Sequence, residues 1–129
     1  MKLLLPLLLA SVLVVTARAA PKASTDTYRQ VSMQESMELM DSETDYIILD
    51  VRTAAEYESG HIPGAICIPN ETIGSEEIPG LPDKQQLILV YCRSGNRSRQ
   101  AAEKLVKLGY TNIVEFGGIN AWPGEIVTH

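Results

Sequence analysis

Two stretches of this chain, Tyr46-Ile47-Ile48-Leu49-Asp50-Val51 and Gln86-Leu87-Ile88-Leu89-Val90-Tyr91, are apolar almost without a break. A strand with one face in water alternates polar and apolar residues, whereas a strand covered on both faces does not have to. The two runs therefore predict strands inside a parallel sheet with helices on either side. Helix signals fill the intervals. Ser32 with Glu35, and Thr53 with Glu56, have the spacing of a reciprocal N-terminal cap, predicting helices over about Met33 to Met40 and after Thr53, the second stopped by Gly60 in a left-handed conformation. Ala101, Ala102, Leu105, Val106 and Leu108 recur at helical spacing, with Glu103 and Lys107 one turn apart and Gly109 as a stop. A helix is expected over Ser98 to Leu108. Shorter strands are expected near Tyr28 to Val31, Ala65 to Ile68 and Ile113 to Phe116, a surface loop with room for one helical turn over Pro69 to Lys84, and a last helical turn from Gly117 to Trp122. Strands alternating with helices make an α/β domain, in which ligands bind beyond the carboxyl ends of the strands. Asp50-Val51-Arg52 and Tyr91-Cys92 fall there.

Residues 1–19 read as a secretory signal peptide, with Lys2 at the start, an apolar run from Leu3 to Val15, and Ala17-Arg18-Ala19 before Ala20. The run holds 13 residues, short of the roughly 20 a membrane-spanning helix needs. A flexible polar stretch over 20–27 and one domain over 28–127 are expected to follow, in the periplasm or outside the cell. Without the leader, nine basic residues face 16 acidic ones, a net −7 excluding histidines. That balance argues against nucleic acid or an anionic membrane surface as a partner. Three of the nine, Arg93, Arg97 and Arg99, fall within seven positions, so the local sign opposes the global one and suggests a specific small anion. Neither histidine has a second histidine or clustered acid at ligand spacing, so no metal is expected, and no other cofactor. With no apolar surface stripe evident, the domain is expected to be a monomer.

The arginines surround Cys92-Arg93-Ser94-Gly95-Asn96-Arg97-Ser98. A loop that leaves a strand and feeds a helix turns successive backbone N–H groups toward its centre, and the helix adds the positive end of its dipole. A cysteine at the head of such an anion cradle has its thiolate stabilised by those N–H groups and by Arg93 and Arg97, so its pKa should fall. This supplies a nucleophile at neutral pH without a histidine base. Gly95 permits the tight backbone, and Ser94, Asn96 and Ser98 are short enough to bond to the loop or to a ligand.

Asp50-Val51-Arg52, Gly60-His61-Ile62-Pro63-Gly64-Ala65, the Cys92 to Ser98 loop, and Gly117-Gly118 through Ala121-Trp122 occur in an order and at spacings that resemble the single-domain rhodaneses, the thiosulfate sulfurtransferases. The resemblance covers about Tyr28 to Trp122. It implies a three-layer fold with about five mostly parallel strands and helices on both faces. It also implies that Cys92 takes the outer sulfur of thiosulfate or another sulfane donor, releases sulfite, and holds a persulfide until cyanide or a thiol removes it. Arg93, Ser94, Gly95, Asn96 and Arg97 would then bind the anion. Tyrosine phosphatases and arsenate reductases also seat a cysteine in an anion cradle, with an arginine six positions later, but here that position is Ser98 and Arg97 and Arg99 flank it.

Asp50 and Arg52 are read as a brace for the loop more than as catalysts. His61 is read as a turn residue satisfied by backbone, terminal His129 as disordered, and Trp122 as a core or lid anchor. Cys67 has three readings: an inert buried thiol, a resolving thiol, or a disulfide partner of Cys92 in a redox protein. The inert one is preferred because free cysteine commonly packs as a small hydrophobe.

Overall fold

A computed structural model describes residues 27–129. The signal peptide and residues 20–26 lie outside the described residues. The elements run β1 (Arg29–Gln30), α1 (Met33–Ser42), β2 (Tyr46–Asp50), α2 (Ala54–Ser59), β3 (Ile66–Cys67), a 3-10 turn (Asn70–Thr72), β4 (Leu87–Cys92), α3 (Asn96–Lys107), β5 (Ile113–Gly118) and a second 3-10 turn (Ile119–Ala121). The strands form one sheet in the order β1-β5-β4-β2-β3, and every neighbouring pair is parallel.

The apolar runs lie where their composition demands. Every residue of β4 is buried, and period-two alternation sends its side chains into two separate cores. Ile88, Val90 and Cys92 join Leu49, Val51 and Ile113 beneath Ala101, Ala102 and Leu105 of α3. Leu87, Leu89 and Tyr91 join Ile48, Val114 and Phe116 on the other face, against Leu39 and Met40 of α1 and Tyr57 of α2. Helices on both faces make the expected three layers. Leu105 is wholly buried under this arrangement, and its truncation to alanine would cost about 2–5 kcal/mol.

Both predicted capping boxes form, Ser32 with Glu35 and Thr53 with Glu56. Other expectations need correction. Gly60 ends α2 at φ 152 and ψ 132, an extended glycine conformation rather than a left-handed helical one, because the chain leaves straight into the pairing of His61 with Val127. A Cβ on Gly60 would also meet Ile126 at 2.8 Å. The stretch from Pro69 to Lys84 is more than a surface loop. Its Ile73 and Leu81 are buried in the core under α3, and the Leu81 carbonyl accepts a hydrogen bond from the Tyr110 hydroxyl. Helix α3 begins at Asn96, two residues before the predicted Ser98, since its polar first turn carries no apolar period. His129 is ordered into the fold, where its carbonyl lies 2.9 Å from His61 Nε2.

Candidate active site

Three residues, Arg93 to Gly95, join β4 to α3, and this shortness shapes the site. Gly95 takes φ 113 at the helix N-cap without a side-chain cap, a left-handed conformation that favours glycine. The turn directs the Gly95 N–H onto Cys92 Sγ at 3.0 Å, and Ser98 Oγ lies 3.4 Å from the same sulfur. Cys92 is 1% exposed. Burial alone would raise its thiol pKa, but the Ser98 hydroxyl and the N–H groups of Ser98, Gly95 and Ser94 outweigh it and bring the thiol below its ordinary value. The direction agrees with the sequence reading, but the cause is corrected: neutral donors do most of the work expected of arginine.

The loop is held from the side by β5. A Cβ at Gly118 would lie 2.0 Å from the Arg93 carbonyl oxygen and 2.5 Å from the Ser94 nitrogen. Only glycine lets the strand end approach that closely, and the Asn120 N–H then bonds the Arg93 carbonyl at 3.2 Å. Gly117-Gly118 is thus the seat of the cysteine loop.

The arginines differ in placement. Arg97 Nη1 and Nη2 donate to Glu56 Oε1 and Oε2 at 2.7 and 3.0 Å, so α2 clamps the first turn of α3. This bond to Glu56 raises the Arg97 pKa, burial lowers it, and the charges of Glu56 and Cys92 raise it further, which places the guanidinium within the electrostatic reach of the sulfur. Arg93 and Asn96 are exposed at the mouth, and Arg99 bonds Asn96 Oδ1 at 2.6 Å. Ser94 is exposed as well.

Asp50 and Arg52 do not touch the cysteine. They form a buried pair, Arg52 Nη2 to Asp50 Oδ2 at 2.7 Å, and Nη2 also donates to the Gly60 carbonyl at 2.7 Å. The Tyr91 hydroxyl donates to Asp50 Oδ2 at 2.7 Å and accepts from the Ile62 N–H at 3.2 Å. Every buried charge is answered, as a brace requires. It ties the residue before Cys92 to the segment that follows α2.

Cys67 and Cys92 are both free thiols. Asp50 pairs with Cys67 on one side and with Tyr91 on the other, so β2 separates the two cysteine strands by two strand spacings, about 9–10 Å. A disulfide needs Cα atoms within about 7 Å. The geometry therefore leaves the redox-pair reading unsupported. His61 has Tyr57 O at 2.8 Å from Nδ1, both ring nitrogens facing backbone as expected of a turn residue. Trp122 packs partly buried against Phe116. Among the described residues no group of His, Cys, Asp and Glu has metal-site geometry.

Three residues of the site escaped sequence reasoning: Glu56, Gly118 in its packing role, and Glu115. Glu115 is 3% exposed on β5, with Oε2 at 2.6 Å from Ser98 Oγ. An acid inside the otherwise apolar run Ile113-Val114-Glu115-Phe116 was the available signal.

The model of the Rhodanese-like domain family matches residues 32–125. PspE, a thiosulfate sulfurtransferase of Escherichia coli, is 38% identical over 71 residues, 55% of this chain and 68% of that one. A sulfurtransferase of Allochromatium vinosum is 41% identical over 90 residues, 67% of this chain and 79% of that one. Among solved structures, the rhodanese-like domain of an Anabaena protein gives a TM-score of 0.70 at 27% identity, covering 80% of this chain and 81% of that one. A rhodanese with anions from E. coli gives 0.59 at 33% identity, covering 65% and 99%. No helix among the described residues is long and apolar enough to cross a membrane.

Proposed function

The chain belongs to the rhodanese-like domain family, and because its relatives from E. coli and A. vinosum are named sulfurtransferases, we propose that it moves a sulfane sulfur from thiosulfate or a similar anionic donor to cyanide or a thiol through a persulfide on Cys92. The observation that carries this reading is the Gly95 N–H aimed at Cys92 Sγ from 3.0 Å in a three-residue loop. Donors fixed around a sulfur that becomes and stays anionic stabilise thiolate, transition state and persulfide alike.

In the proposed cycle Cys92 attacks the outer sulfur of the donor, the donor S–S bond breaks, and its electron pair leaves with sulfite. The terminal persulfide sulfur sits over the N–H groups of Ser94 and Gly95. Arg93 and Asn96, exposed at the mouth, meet the oxyanion end of the donor, while Arg97, fixed by Glu56, supplies positive potential. The acceptor then attacks the terminal sulfur and Cys92 leaves as thiolate. The chemistry uses no cofactor. Asp50 and Arg52 act as a brace. The leader over 1–19 would deliver the enzyme to the periplasm or outside the cell.

The test is the intact mass of mature protein purified without reductant, before and after thiosulfate and then after cyanide. A gain of one sulfur that cyanide removes, absent in Cys92→Ser, is expected of an activated thiolate. An unchanged mass on exposure to thiosulfate would overturn the proposal.

A further inference from the structure

Cys92 is buried, so the proton of its thiol needs a route out when the sulfur becomes a nucleophile. The obvious exits are closed. The Ser94, Gly95 and Ser98 N–H groups only donate, and Arg97 is committed to Glu56. One neighbour both accepts and donates, the fully buried Ser98 hydroxyl, 3.4 Å from Cys92 Sγ. Its other close partners are all oxygens: Glu115 Oε2 at 2.6 Å, the Gly95 carbonyl at 3.0 Å and the Gly117 carbonyl at 3.4 Å. A hydroxyl has one hydrogen to give.

This count links the two ends. When Cys92 carries the proton, S–H donates to Ser98 Oγ and the serine donates to a charged Glu115. When the serine turns its one hydrogen to a Cys92 thiolate instead, it no longer donates to Glu115, and two oxygens only 2.6 Å apart then need another hydrogen between them, which a protonated Glu115 carboxyl supplies. Glu115 is built to stay in place in either state. Its Oε2 accepts from the Gly117 N–H at 2.9 Å, its Oε1 accepts from Gln30 Nε2 at 3.3 Å, and no ion pair among the described residues involves it.

The far side of the carboxyl opens outward. A cleft of about 470 Å³, lined by Gln30, Ser94, Gly95, Arg99, Glu115 and Gly117 among others, lies beside the cysteine loop. Arg99 of α3 lines the same cleft as Glu115, Tyr28 next to β1 feels the charges of Glu115 and Glu103, and Cys92 of β4 is reached through Ser98.

We infer that Glu115 is the proton store of Cys92, exchanging one proton with the thiol through the Ser98 hydroxyl and with water through the cleft. As Cys92 attacks the donor, its S–H bond breaks and the proton passes to Ser98 Oγ while the serine's own proton passes to Glu115 Oε2. The donor S–S bond breaks and its electron pair leaves with the sulfonate half. When an acceptor takes the terminal sulfur, the persulfide bonding pair falls back on Cys92 and Glu115 returns the proton along the same path. The purpose of this movement rests on the sulfur-transfer reading, but its existence does not.

The experiment is site-resolved alkylation of the mature protein by iodoacetamide across pH, with Cys92 and Cys67 separated by peptide mass. Two groups that share a proton titrate as a pair, so the Cys92 rate in the wild type is expected to rise in two steps with a plateau between them. Glu115→Gln keeps the shape and removes the store, and Ser98→Ala breaks the path while leaving the store. Glu115→Gln should collapse the profile to one step, Ser98→Ala should move the Cys92 rise to higher pH, and each should slow thiosulfate turnover by roughly 100-fold, the scale of one general acid–base group. A single step in the wild type, or a two-step profile unchanged in Glu115→Gln, overturns the inference. A two-step profile that collapses in Glu115→Gln, in a protein that never gains sulfur, would sink the sulfur-transfer reading and leave the proton store standing.

Discussion

The two cysteines stand at the carboxyl ends of strands on either side of β2, yet the more buried one is the more acidic. Cys92 is 1% exposed and its thiol is lowered, while Cys67 is only partly buried and its thiol is raised. Burial raises both, so exposure does not explain the difference. Around Cys92 the nearest groups are N–H and O–H donors, turned inward by a short loop and a helix start. Cys67 instead faces an acceptor, the Arg52 carbonyl oxygen 3.5 Å from Sγ, which favours S–H. Asp50, Glu56 and Glu58 add negative potential to the burial penalty, opposed by Arg52. A reactive thiol is thus made by whether hydrogen-bond donors or acceptors face the sulfur.

The most severe test of that contrast removes the sulfur itself. Cys92→Ser is expected to abolish sulfur transfer, since a serine hydroxyl in the same cradle stays protonated, while the melting temperature stays within a few degrees. Turnover that survives in Cys92→Ser would transfer the role to Cys67. A second test keeps both sulfurs and moves the donors. Gly118→Ala forces the Arg93 and Ser94 backbone away from a contact of 2.0 Å. Loss of turnover by about 100-fold or more is expected, the usual consequence of displacing reactive geometry by an ångström, with the Cys92 alkylation profile moved to higher pH. Gly74→Ala, at a position where a Cβ meets nothing within 4 Å, is the control and should change neither.

These tests also divide what was legible in the sequence from what was not. The cysteine loop, both capping boxes and the buried strands are local patterns, in which the residues that cause a structure lie within a few positions of one another. Glu56 with Arg97, Gly118 with Arg93, and Glu115 with Ser98 join elements far apart in the chain, and no local period announces them. The start of helix α3 is hidden from the sequence for a related reason. Its first turn is held by Gly95 and by the Arg97 bond to Glu56, neither of which leaves an apolar stripe. The stretch from Pro69 to Lys84 reads as surface because it is rich in proline, glycine and acid, while two residues, Ile73 and Leu81, decide that it is pinned to the core.

A smaller effect is expected at the clamp on the edge of the cradle. Glu56 is held down to about 2, chiefly by the hydrogen bonds from Arg97, with Thr53 assisting and burial opposing. A carboxylate whose folded pKa is depressed adds stability that is complete above its unfolded value, about 4.3, and is lost as pH falls through about 2. Both partners are more than a quarter exposed, so solvent screens the pair and Glu56→Gln should cost only about 1 kcal/mol at pH 7 in urea unfolding. The difference from wild type should be flat from pH 6 to 8 and shrink between pH about 4 and 2. Turnover should fall only a few-fold, because the N–H donors remain. A loss as large as that of Gly118→Ala would mean that arginine, and not the peptide dipoles, controls Cys92.

The smallest expected effect is at the other sulfur. Cys67→Ser replaces a thiol by a hydroxyl that can donate to the same Arg52 carbonyl, so the neighbouring Asp50 and Arg52 brace keeps its contacts. With the Cys67 thiol raised above its usual range by burial and by Asp50, little of it is thiolate at pH 7, and two strand spacings keep it from Cys92. Thiosulfate turnover within about two-fold of wild type follows from a residue that neither attacks nor resolves, and iodoacetamide should modify Cys67 far more slowly than Cys92 at pH 7. A mixed result would be informative about mechanism: unchanged sulfur loading with slowed release to a thiol acceptor would place Cys67 in the second half of the cycle. The acceptor would then enter by the cleft of about 580 Å³ that Cys67 lines, walled by Gly74 to Gly80 of the loop.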